Sequence, residues 1–221
     1  MGLLVFGTPT LLFFGYGFPE TLGLLLPSSL EISAMQVARP GIRRPTIPRH
    51  LFIFCLPAIN AFMLLAIIEN NKEYFAILVG SVLVMSAVSR LVERTRNLLT
   101  TAIRSHSAAY HIALGVVHGL TNLGGAMLAI FASSQYSNKS EVRYVIAAYY
   151  LAFVALQCTV LAISCHLNDL FNGIMIIPIA VLTHLVVGRP LFRNLQDRQS
   201  DGAMSVFIMA YGLVLLLKSL N

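Results

Sequence analysis

Six apolar runs follow one another along the chain, from about Phe18 to Ala38, Leu51 to Ile68, Tyr74 to Ser89, Val142 to Cys165, Leu170 to Gly188 and Ala203 to Leu217. About 20 consecutive apolar residues suffice for a helix to cross a bilayer, so each run predicts a crossing. Apolar residues make up 57% of the 221 and charged ones 11%, which leaves no stretch polar enough for a separate soluble domain. The expected fold is an all-α polytopic membrane protein in a single domain, with room for about six to eight membrane elements. The sequence opens with MGLLVFG, lacking the basic region and small-residue cleavage site of a secretory signal, so Met1 is expected to begin the mature protein.

Two further apolar stretches are irregular. Gly2 to Gly15 is short and interrupted by GTPT, and Ala108 to Ser133 contains the glycine-broken segment HGLTNLGGAMLAIF, from His118 to Phe131. Backbone left unpaired in lipid costs several kcal/mol per group unless protein or a water-filled cavity shelters it, so these stretches predict partial or re-entrant helices. Short cytoplasmic loops retain Lys and Arg. If RPGIRRPTIPRH is cytoplasmic and Ala108 to Ser133 enters and returns on one side, six crossings place Arg39, Arg43, Arg44, Arg49, Arg90, Arg94, Arg96, Arg104, Lys139, Arg143, Arg189, Arg193 and Arg198 inside. Lys72 and Lys218 then fall outside. A full crossing by Ala108 to Ser133 destroys this asymmetry, so the charges independently favour a re-entrant hairpin. The run RLVERTRNLLTTAIR carries Leu98, Leu99 and Ile103 at helical spacing, which fits an interfacial helix between two halves or a solvated linker.

A shift of 121 residues superposes Glu20 on Glu141, Gln36 on Gln157 and Pro57 on Pro178, with Leu30, Ala34, Ile53 and Leu64 also meeting identical residues. With a short gap, FGTPTLLFF in the first half corresponds to LGGAMLAIF in the second. The charge-based orientation puts Glu20 outside and Glu141 inside, so the expected architecture is two inverted repeats. Unit one covers about 1–92, the linker about 93–106 and unit two about 107–221. Such repeats place substrate near the midplane, with broken-helix ends facing it.

The stretch HGLTNLGGAMLAIFASSQYSNKSEVRYVIAAYYL resembles the broken segment, polar loop and following helix in the second half of the sulfite exporter TauE/SafE-type permeases. GTPTLLFFGYGFPETLGLLLPSSLEISAMQ is similar to the corresponding part of their first half. The resemblance implies a multi-pass permease of a bacterial-type inner membrane. Its substrates would be small organic or inorganic anions, commonly sulfur-containing ones such as sulfite, thiosulfate or sulfonates. One departure from that pattern is the apolar run from Ala108 to Val117 before the second break, which has no equivalent ahead of the first; an incomplete first re-entrant element is expected.

A helix N-terminus at the midplane offers unpaired N–H groups and partial positive charge to an oxyanion. On that logic Gly124 and Gly125 permit close backbone approach, and Thr121 and Asn122 supply side-chain hydrogen bonds. Close helix packing is the competing reading, because Gly115 and Gly119 form a GxxxG pair whose partner belongs either to this chain or to a second copy in a homo-oligomer. In the first half Gly7, Thr8, Pro9 and Thr10 supply a matching helix start or a simple kink. Pro27 releases the carbonyl of Gly23 beside Ser28 and Ser29, which then contact substrate or satisfy backbone. Gln36 and Gln157 occupy equivalent positions and bond either substrate or the opposing segment, while Asn60, Tyr149 and Tyr150 are further polar groups for a cavity or for packing. Glu31 and His118 are the coupling candidates, an intramembrane carboxylate and a group of near-neutral pKa. Their competing readings are an ion pair from Glu31 to Arg39 or Arg43 and a hydrogen-bonded structural histidine.

Other chemistries lack support. The formal charge of +6 is spread over juxtamembrane loops without a nucleic-acid-binding motif, so anionic membrane lipids rather than nucleic acid are the expected partners. Cys55, Cys158 and Cys165 lie in or beside apolar runs as small hydrophobes, and Cys158 stands about 10 Å from Cys165 along one helix, too far for a disulfide. His111 and His118 have no third ligand at a recognised spacing, so no metal is expected. No GxSxG, Walker A, HExxH, CxxC or dinucleotide fingerprint occurs, so neither an enzyme nor a cofactor is expected. The NKS sequon at Asn138 lies on the cytoplasmic side and is expected to stay unmodified. The function expected is a secondary permease for a small anion working by alternating access. A non-transporting membrane scaffold and a passive anion channel are the alternatives.

Overall fold

The computed structural model describes residues 2–41, 43–69, 71–164, 166–188 and 197–219. Met1, Cys165, Arg189 and Arg193 lie outside the described residues. Among the described residues there are ten α-helices and no strand. They are α1 (Gly2–Phe13), α2 (Phe18–Ala38), α3 (Leu56–Glu69, entered through a π-helical turn, Leu51–Cys55), α4 (Lys72–Leu91) and α5 (Glu93–Ser105). The second half supplies α6 (Ser107–Thr121), α7 (Gly125–Gln135), α8 (Lys139–Ile163), α9 (Leu167–Thr183, prolonged by a π-helical turn, His184–Gly188) and α10 (Asp197–Ser219).

By length and composition three stretches suit a membrane crossing, Leu51–Glu69, Lys139–Ile163 and Leu167–Val186. A fourth is reached if α4 and α5 count as one span bent by 96°. The chain thus reads as an all-α membrane protein, with three or four such helices among the described residues where six crossings were expected. Phe18–Ala38 falls short because it carries Glu20, Glu31, two prolines and three serines, and α10 because its first turns, DRQSDG, are polar. The 96° bend turns α5 across the end of α4. There Ile103 is buried and Leu99 packs half-buried on the core, whereas Leu98 stays exposed.

Helix ends follow local chemistry. Gly15, at φ +88°, closes α1: the N–H of Tyr16 reaches the Leu11 carbonyl and that of Gly15 the Leu12 carbonyl, the paired bonds of a Schellman motif. Glu20 and Glu141, matched by the 121-residue shift, both occupy the third helical position, of α2 and α8 respectively. Glu20 accepts the N–H of Gly17 at 2.8 Å, and Glu141 pairs with Arg43 at 3.4 Å.

Glycines set the close crossings. On α6, a Cβ on Gly115 would stand 2.5 Å from the Cys55 carbonyl oxygen, and one on Gly119 would stand 2.8 Å from that of Ile59. The GxxxG pair therefore packs on α3 of its own chain. Gly173 of α9 lies against the Gly23 carbonyl of α2, the same carbonyl that Pro27 deprives of its helical donor. Gly80 of α4 and Gly212 of α10 face one another, each near the other's carbonyl oxygen. These contacts fix directions: α2 and α9 run parallel, and α4 and α10 run antiparallel.

One end of the molecule collects the basic residues. Tyr136 Oη donates to the Thr46 carbonyl at 3.4 Å, Ser107 Oγ bonds His50 Nδ1 at 3.2 Å, and Arg43 reaches Glu141. The loop before α3 is thereby tied to the starts of α6 and α8, so Arg39, Arg43, Arg44, Arg49, Lys139 and Arg143 share that end, next to α5 with Arg94 and Arg104. Partial burial, then the neighbouring Glu141 carboxylate, push the Tyr136 phenol above its ordinary pKa. At the opposite end Lys218 bonds the Phe13 carbonyl and sits 4.3 Å from the Phe13 ring centre. It follows that α2 and α8 traverse the molecule in opposite senses.

Candidate functional site

The glycine-broken segment folds back on itself. Were Ser107–Gln135 one rod, Tyr110 and Met127 would be about 26 Å apart at 1.5 Å per residue. Instead Tyr110 Oη donates to the Met127 carbonyl at 2.8 Å, and the His111 and Phe131 rings lie 4.9 Å apart. Asn122 makes the reversal with left-handed backbone, φ 61° and ψ 16°. Gly124 must stay small, since a Cβ there would meet His118 Cβ at 2.9 Å and Leu114 Cδ1 at 3.1 Å. Asn122→Ala is expected to lower stability by about 1–2 kcal/mol, the left-handed penalty of an ordinary residue, and Asn122→Gly to leave it nearly unchanged; thermal unfolding in micelles measures both.

The break is wholly interior, with His118, Thr121, Asn122, Leu123, Gly124 and Gly125 all buried. Thr121 is saturated by its own chain, donating to the Val117 carbonyl at 2.6 Å and accepting the Leu123 N–H at 3.2 Å. Asn122 Nδ2 donates to Thr8 Oγ1 of α1 at 3.3 Å, joining the two segments singled out from the sequence, while its Oδ1 has no partner. The Gly124 N–H donates to His118 Nδ1 at 3.3 Å. His118 itself packs on Phe153, ring centres 4.6 Å apart, and edge-on to Tyr150 at 5.8 Å, and it interacts with Gln157. Tyr150, Phe153 and Gln157 form one stripe of α8 facing the break.

That stripe is polar and unsatisfied. His118 Nε2, Asn122 Oδ1, Tyr150 Oη and both amide atoms of Gln157 are buried without a hydrogen-bond partner, as are Thr21 Oγ1 and Ser28 Oγ on α2, the helix packed along α8. Gln157 and His118 are in hydrogen-bond contact, but the alignment is too poor for either group to be satisfied by it. Each such atom costs about 1–3 kcal/mol, and folded proteins leave few of them. His111, seven residues earlier on α6, is the contrast: its Nδ1 bonds the Ser107 carbonyl at 2.7 Å and its Nε2 bonds Tyr149 Oη at 2.9 Å, so it is fully satisfied.

Of the two readings of Gly7–Thr10, the helix start is not the one adopted, because α1 begins at Gly2 and carries Pro9 inside it. Thr10 bonds the Phe6 carbonyl at 2.7 Å and Tyr211 Oη at 3.0 Å. Gly7, Thr10 and Ser28 line a groove of about 330 Å³ between α1, α2 and α9 whose walls are otherwise Leu3, Phe6, Leu24, Leu25 and similar residues. Such a surface suits acyl chains rather than an anion. Ser29 is buried and Gln36 half-buried, so Gln36 and its repeat mate Gln157 have unlike surroundings. Glu31 is exposed on the outer surface, and Arg43 pairs with Glu141 instead of with it.

Thr21 was not legible as a candidate from its surroundings. Its signal is spacing: it precedes Ser28 by seven residues on α2, as Tyr150 precedes Gln157 on α8, which puts each pair on one helix face. Among the described residues no three His, Cys, Asp or Glu side chains gather to hold a metal ion. The chain matches no protein-family profile, no curated protein and no solved structure.

Proposed function

We propose that the chain is a secondary permease that moves a small, sulfur-containing anion such as sulfite, thiosulfate or a sulfonate, in the manner of the TauE/SafE-type permeases it resembles. The observation that carries this reading is the set of unpartnered polar atoms gathered around an interior helix break. In a lipid-embedded chain such groups are costly unless a polar guest engages them in the working cycle. The basic end faces the cytoplasm of a bacterial-type inner membrane, by the retention of Lys and Arg on that side.

Helices α1–α4 and α7–α10 are, in this reading, inverted repeats that rock against one another. Exchanging the two sets matches several packed pairs, α2 on α9 with α8 on α3, α1 on α2 with α7 on α8, and α1 on α10 with α7 on α4, while α1 on α4 has no comparable answer from α7 on α10. The pairs α2 with α8 and α4 with α10 map onto themselves. Helix α6 has no counterpart among α1–α4, so the two halves contribute unequally to the site. Reconstitution into proteoliposomes tests the proposal by flux of sulfite, thiosulfate and a sulfonate, with and without a pH gradient. Gradient-sensitive flux of at least one is expected. Uncoupled conductance indicates a channel, and no flux of any sulfur anion overturns the permease reading in favour of a scaffold.

A further inference from the structure

The capacity of the cluster around His118 has a definite composition. Because Nδ1 accepts the Gly124 N–H, the neutral imidazole holds its proton on Nε2, making that atom a buried donor whose only nearby acceptor, on Gln157, is poorly aligned. Gln157 Nε2 and Tyr150 Oη add further unpartnered donors, and the first-turn amides of α7 lie beyond intrahelical acceptors. Unpartnered acceptors are present too, in Gln157 Oε1 and Asn122 Oδ1. Charge is missing: no charged side chain acts on His118. Among the described residues, the titratable groups facing it are Tyr150 from α8 and, in the π-helical turn that precedes α3, Cys55, which with Ile59 and Met63 faces α6.

Neutral donors compensate one buried negative charge far better than two, since the desolvation penalty rises with the square of the charge. A fully ionised oxyanion, moreover, offers only acceptors and leaves Gln157 Oε1 and Asn122 Oδ1 unpaired, whereas one that keeps an O–H also donates to one of them. Resting on the permease reading above, we propose that the cluster binds a singly charged oxyanion that still carries a proton, of the hydrogensulfite class. The proton then crosses on the substrate, and a pH gradient drives transport without a titrating carboxylate. Exposed Glu31 is not needed for coupling.

Equilibrium binding to the detergent-solubilised full chain tests this with sulfite, sulfate and methanesulfonate. Apparent affinity for total sulfite is expected to fall about tenfold per pH unit above the ionisation of hydrogensulfite, because only the protonated fraction is competent. Sulfate, doubly charged, is expected to bind at least about 100-fold more weakly, and methanesulfonate, singly charged without a proton, about tenfold more weakly. Gln157→Leu removes a group whose one contact, with His118, is poorly aligned, so it is expected to weaken sulfite binding about tenfold or more with little change in the unfolding temperature. Sulfite affinity independent of pH, sulfate binding on a par with sulfite, or undiminished binding by Gln157→Leu overturns the proton-bearing assignment while leaving the permease reading intact. Failure of every sulfur oxyanion at every pH overturns both.

Discussion

Gly115→Val is expected to destabilise the protein by about 3 kcal/mol or more, at the upper end of overpacking penalties. The added Cβ would stand 2.5 Å from the Cys55 carbonyl oxygen and 2.7 Å from Ala58 Cβ. Neither can swing aside, because one is backbone and the other is fixed to it, so α6 must lift off α3. Cys55, Leu114, Tyr110 and Phe153 belong to the same buried cluster, and separating the helices opens it. Gly7→Ala is the matched control: its Cβ meets only the Leu25 side chain, at 2.8 Å and beyond, which can rotate, and alanine gains about 1 kcal/mol of helix propensity over glycine. Thermal unfolding in micelles should separate the two variants widely. Equal behaviour would mean that α3 and α6 do not cross at this glycine.

What the amino-acid sequence disclosed, and what it hid, divides along the reach of the interactions. The break at Asn122–Gly124 was readable because two glycines after an apolar run remove side chains where the chain must turn, a local matter. The glutamates at positions 20 and 141 were readable as a pair for the same reason, since both sit in the first turn of a helix following a short one. GTPT was ambiguous: proline suits a helix start and an internal position alike, and Thr8 and Thr10 bond Asn122, Phe6 and Tyr211, two of them distant in sequence. Glu31 looked intramembrane because its neighbours are apolar, but the polar and apolar residues of α2 do not separate onto two faces, so periodicity could not say which way the carboxylate points. The return of α7 along α6 was readable from the glycine break and the distribution of positive residues, whereas the bond from Tyr110 to Met127 that holds it was not.

The two histidines of α6 make the sharpest test of where function lies. They are seven residues apart on the same helix face and equally buried, yet their nitrogens are engaged oppositely. His111 donates through Nδ1 to a backbone carbonyl and accepts the Tyr149 hydroxyl at Nε2. His111→Phe therefore strands the hydroxyl of buried Tyr149 and is expected to cost about 2 kcal/mol of stability. His118→Phe gives up a long bond to the Gly124 N–H but also relieves an unpartnered Nε2–H, so stability should change by less than about 1 kcal/mol. Packing on Tyr150 and Phe153 accommodates the new ring. Flux of sulfite is expected to behave the other way round, lost about 100-fold or more in His118→Phe, in line with losing a buried donor and the geometry it imposes on the break. In the folded fraction of His111→Phe it should fall only a few-fold. If both variants lose stability and flux in parallel, His118 is a packing residue like its neighbour and the break is no binding site.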